Sequence, residues 1–110
     1  MIHDTLRKIE AQLQNAPALK EESKAELLNL VATLRNEVSE LSKTDADQAQ
    51  TIAGFAQVSA HEATREQLNP QTLELSLKGL RSSVDGFEQS HPKLVQIVNN
   101  ISNTLSNLGI

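Results

Sequence analysis

The stretch Leu27–Leu41, LLNLVATLRNEVSEL, carries the pattern on which the fold turns. Leu27, Val31, Leu34, Val38 and Leu41 recur at intervals of 4, 3, 4 and 3, the heptad seam of a helix that packs on another helix. Leu28 and Leu30 flank the seam on opposite sides. The stripe is therefore wider than a two-stranded coiled coil needs, and this helix, expected over about residues 20–42, should meet at least two neighbours. A bundle satisfies that requirement.

The same spacing recurs towards the C-terminus. Asn69-Pro70 reads as a helix start, with Asn as N-cap and Pro at the first helical position, where its missing N–H costs nothing. Leu73, Leu77, Leu80, Val84 and Phe87 then form a second seam, predicting a helix over 70–89 from which Leu75 stands aside. Ser90-His91-Pro92 breaks the chain, and Leu94, Val98, Ile101, Leu105 and Leu108 make a third seam over 92–108. Gly109 is placed to close that helix, with Ile110 folding back on its last turn.

Towards the N-terminus, Ile2, Leu6, Ile9 and Leu13 form one helical stripe over 2–15, ended by Asn15-Ala16-Pro17. The next helix can begin with the capping-box spacing Ser23-x-x-Glu26 or with Leu19-Lys20-Glu21-Glu22 as its first turn. Between the seams, Thr44-Asp45-Ala46-Asp47 opens an alanine-rich helix over 45–67 whose large apolar residues are Ile52, Phe55 and Val58. Alanine buries little and Gly54 costs helix propensity, so residues 44–68 are expected to be the least stable, mobile segment. The expectation is a single all-α domain over 1–110, an antiparallel bundle of four to five helices built from two hairpins linked by 44–68.

Composition narrows the chemistry. A chain of 110 residues with 16 Leu, 6 Ile, 6 Val and 2 Phe can build one core. The absence of cysteine excludes disulfides, thiolate catalysis and cysteine-ligated metals. Ten basic residues against 14 acidic ones are scattered, the acid excess lies in 44–68, and there is no Trp or Tyr, which speaks against nucleic acid. Residues 1–8 lack a basic leader with an apolar stretch behind it, and no apolar run nears the length of a membrane span, so a cytoplasmic protein that does not bind membrane is expected.

No complete catalytic or metal motif is present. His61-Glu62-Ala63-Thr64-Arg65 has the start of a zinc-protease motif, but Arg65 stands where the second histidine must be, and arginine does not give up its proton. Glu88-x-x-His91 is one half of a di-iron carboxylate pattern, and His3 and His61 supply no second half. Glu62 and Glu66 share a face in the expected helix, yet no oxygen-rich loop accompanies them. The glycines are too dispersed for a phosphate loop, and no nucleophile elbow marks out a serine. The expectation is a protein that is not an enzyme and carries no cofactor or metal.

The segments Phe87-Glu88-Gln89-Ser90-His91-Pro92-Lys93-Leu94 and Leu105-Ser106-Asn107-Leu108-Gly109-Ile110 resemble a family of small bacterial helical proteins known only as a domain of unknown function. The likeness is best over 84–110 and weaker over 1–41, with 44–68 resembling an elaboration that shorter relatives lack. It implies a bacterial, cytoplasmic protein and transfers no functional residue.

The resulting functional expectation is a structural or protein-interaction module that self-associates, a homodimer being favoured, or docks a protein partner. The three seams supply the candidate contact residues: Leu27, Val31, Leu34, Val38 and Leu41; Leu73, Leu77, Leu80, Val84 and Phe87; Leu94, Val98, Ile101, Leu105 and Leu108. The alternative is a small-ligand or metal-binding bundle that uses His91, Glu88 and the acidic central helix.

Overall fold

A computed structural model describes residues 2–17 and 19–108, and these form five helices: α1 (Ile2–Gln14), α2 (Glu21–Ser42), α3 (Ala46–Ala63), α4 (Pro70–Ser82) and α5 (Pro92–Leu108). The described residues contain no strand. Each start has a local cause. The Asp45 carboxylate accepts from the Gln48 N–H, and the Asn69 side chain accepts from Gln71 and Thr72, while Pro70 occupies the first turn. α2 begins at Glu21 behind Lys20, which gives no side-chain cap, so Glu21 and Glu22 supply the negative charge of the first turn and Ser23 lies inside the helix. The expected cap at Gly109 and the fold-back of Ile110 lie outside the described residues.

The helix predicted over 70–89 is shorter than its seam. α4 stops at Ser82, where the Ser83 hydroxyl donates to the Leu80 carbonyl and Val84 and Asp85 N–H groups bond three residues back. Gly86 then takes a left-handed conformation, φ +92°, that turns the chain. Val84 is still buried, and Phe87 packs half-buried against the core, but both sit on this turn and not on a helix face. The seam's period persists there because the turn delivers its apolar side chains to the same core.

The two expected hairpins are present, α1 against α2 and α4 against α5, and α3, which joins them in the chain, also lies at the centre. It packs against α1, α2, α4 and α5, while α1 meets α2, α2 meets α5 and α5 meets α4. Among the described residues α1 touches neither α4 nor α5, so the four outer helices form an open arc around α3 with α1 and α4 at its ends. The alanines expected to bury little make this possible. Ala49, Ile52, Ala53, Ala56, Ser59, Ala60 and Ala63 point inwards, and their small side chains let four neighbours approach one helix. α3 ends at Ala63, so Glu66, predicted to share a helical face with Glu62, lies beyond the helix in an exposed bend.

The interior is filled by leucine. Leu6, Leu13, Leu27, Leu34, Leu41, Leu77, Leu80 and Leu94 are fully buried, each contributing about 1.5–3 kcal/mol. The void between α1, α2, α3 and α5 measures about 10 Å³, room for about one water. The two glycines of opposite character offer a test. Replacing Gly54, in mid-helix with free space where a Cβ would go, by alanine should stabilise the fold by up to about 1 kcal/mol. Gly86→Ala should destabilise it by about 1 kcal/mol, because alanine is strained at positive φ. Urea denaturation of both variants checks the signs.

Candidate functional site

α3 and α4 run antiparallel along the open side of the arc, and their register can be read from three contacts. Gln48 Nε2 donates to the Ser83 carbonyl at 2.7 Å, the Phe55 ring lies over Gly79, and Thr72 Oγ1 donates to Glu62 Oε1 at 2.5 Å. The Phe55 contact depends on glycine. A Cβ at position 79 would come within 2.7 Å of Phe55 Cδ1 and 3.0 Å of Cζ, closer than carbon atoms can pack. Phe55 therefore packs against α4 at Gly79 and not inside the core.

The consequence is an apolar edge. Phe55 is 38% exposed, Val58 49% and Leu75 70%; these are the large hydrophobic side chains left exposed among the described residues. Phe55, Val58, Leu75 and Ser76 line a groove of about 280 Å³, closed at one end by Glu62 and Thr72. On the other side of Leu75, Pro70, Gln71, Glu74 and Lys78 line a second, shallower hollow. Leu75 is thus a ridge between two depressions.

Glu62 fixes the end of the groove. Its side chain, 13% exposed, accepts from Thr72 and, at 2.9 Å, from Arg65 Nη1, while His61 Nε2 lies 3.9 Å from its other oxygen. The Thr72 hydroxyl first, then Arg65, hold its carboxyl below the usual glutamate value of 4.5. The segment with the start of a zinc-protease motif therefore ties the end of α3 to the start of α4.

The other candidates from the sequence are placed as follows. Thirteen of the fifteen seam residues are buried in the core of one chain, and Phe87 and Leu108 are half-buried against it. The seams are closed within a single chain. Glu88 accepts from the Gly86 N–H at 2.9 Å, and His91 sits edge-on to Phe87 with its Nδ1 3.0 Å from Ser90 Oγ. Both lie on the α4–α5 turn, not on a helix, and the geometry assigns them to holding that turn. Among the described residues no three His, Asp or Glu side chains cluster closely enough to hold a metal, and no helix is long and apolar enough to cross a membrane.

The edge was only partly visible beforehand. Leu75 stands off its seam, which was the available signal, whereas Phe55 and Val58 read as the scarce core residues of α3.

Comparison with known proteins gives a family and no chemistry. The family model described as a domain of unknown function (DUF4404) matches residues 27–110, from α2 to the C-terminus. Neither the curated proteins nor the solved structures contain a match.

The Glu62 bridge has a pH signature. A carboxyl depressed in the folded state stabilises the fold above its unfolded value, and that contribution is lost as pH falls through the folded value. Wild type should melt above Glu62→Gln at neutral pH, and the gap should close as the pH is lowered below about 4. Thermal melts of both proteins across that range measure it.

Proposed function

Since the chain belongs to the DUF4404 family, a domain of unknown function, we propose its role from its own surface: a non-catalytic helical module that self-associates through the α3–α4 edge. The observation that carries this reading is the segregation of apolar side chains. The seams are consumed inside one chain, yet Phe55, Val58 and Leu75 stay exposed together on one edge. Grouped apolar exposure of this kind marks an interaction surface more often than scattered single residues do.

A second copy is the occupant the shape favours. An interface between identical chains has to be self-complementary, and this edge offers a projecting Leu75 beside a groove large enough to receive another leucine. The area sets the strength. α4, with 13 residues, is about 20 Å long, so the edge presents roughly 400 Å² per chain, about half of what a standard stable interface buries. The association is accordingly reversible and concentration-dependent.

Replacing Leu75 by Asp tests this without touching the core. The variant should keep the helical circular dichroism of wild type, with its stability changed by less than about 0.5 kcal/mol. Light scattering after size exclusion should show wild type moving from 12.0 kDa towards twice that mass as concentration rises, and the variant staying at 12.0 kDa. A wild type that stays monomeric at the highest concentration contradicts the reading.

A further inference from the structure

We propose, resting on the self-association just described, that the two copies dock α4 against α4 antiparallel about a two-fold axis, each Leu75 seated in the other copy's Phe55–Val58 groove and Glu74 paired across the axis with Lys78 and Arg81. The two flanks of α4 decide the arrangement. Around the exposed face of α4, Gln71, Leu75, Lys78 and Ser82 form the outward row at spacings of 4, 3 and 4. On one side of that row lie Thr72 and Gly79, the positions that touch α3, with Phe55 and Val58 beyond them. On the other side lie Glu74 and Arg81, joined at 2.9 Å, with Lys78 next to them and without a partner among the described residues.

A two-fold axis perpendicular to two antiparallel helices keeps each flank on its own side. The apolar flank of one copy meets the apolar flank of the other, and Leu75, which leans towards that flank, faces the partner's groove. The charged flank likewise meets itself with the direction of the helix reversed. Glu74, near the start of α4, then faces Lys78 and Arg81 towards the partner's end, and the same pairs form twice. A parallel two-fold would set the apolar flank of each copy against the other's Glu74 and Arg81, leaving those charges facing the Phe55 and Val58 side chains. Head-to-tail stacking would leave one edge always open and grow without limit. The antiparallel pair alone matches both flanks and closes.

Charge reversal separates this geometry from the broader reading. Glu74→Lys alone, and Lys78→Glu with Arg81→Glu, should each weaken dimerisation about 10-fold, because like charges then face each other twice; all three together should restore it to within about 3-fold of wild type. Sedimentation equilibrium at low ionic strength gives the constants, and circular dichroism confirms that these exposed substitutions leave the fold intact. If Leu75→Asp abolishes association while the triple reversal stays as weak as the two partial reversals, the edge is right and the antiparallel docking is wrong. If wild type does not associate at all, both fall.

Discussion

The fold rests on the small size of the inward side chains of α3. A helix in contact with four others needs room on every inward face, and Ala49, Ala53, Ala56, Ser59, Ala60 and Ala63 provide it. Because α3 itself buries few large side chains, its neighbours supply the leucines that fill the space around it, from Leu6 and Leu13 on α1 to Leu77 and Leu80 on α4. The arrangement also fixes what is left over. Four outer helices of this length close an arc and not a ring, so one side of α3 has no helix to cover it.

That uncovered side is where packing and surface chemistry meet. Gly79 lets α4 approach α3 closely enough for the Phe55 ring to lie across it, and Glu62, Thr72 and Arg65 tie the far end of the pair. The same contacts that complete the bundle thus hold Phe55 and Val58 in place beside Leu75. On the docking we propose, side chains held in this way lose less conformational freedom, which partly offsets the edge's modest area.

Much of the fold was legible in the sequence because heptad spacing, caps and prolines act locally. The three seams, the Asn69-Pro70 start and the break before Pro92 all fall where their chemistry places them. The end of α4 was not legible, because Val84 and Phe87 continue the period on a turn, and only the left-handed Gly86 ends the regularity. The central place of α3 was hidden for a related reason. Periodicity weighs large side chains, so an alanine-rich helix reads as weakly buried, whereas in a crowded centre small residues are the ones that fit. The candidate site inherits that error: Phe55 and Val58 read as core residues, whereas with Thr51 they form the exposed stripe of α3, opposite its inward alanines.

On the reading we propose, the seams close within one chain and leave the α3–α4 edge to act between chains. Amide chemical shifts followed by NMR over a dilution series test it most directly, because each residue reports separately. The account predicts shifts confined to residues about Phe55–Glu62 and Gln71–Ser82, with the amides around Leu34, Val38, Val98 and Ile101 unmoved. Concentration-dependent shifts centred on those α2 and α5 seam residues would contradict it.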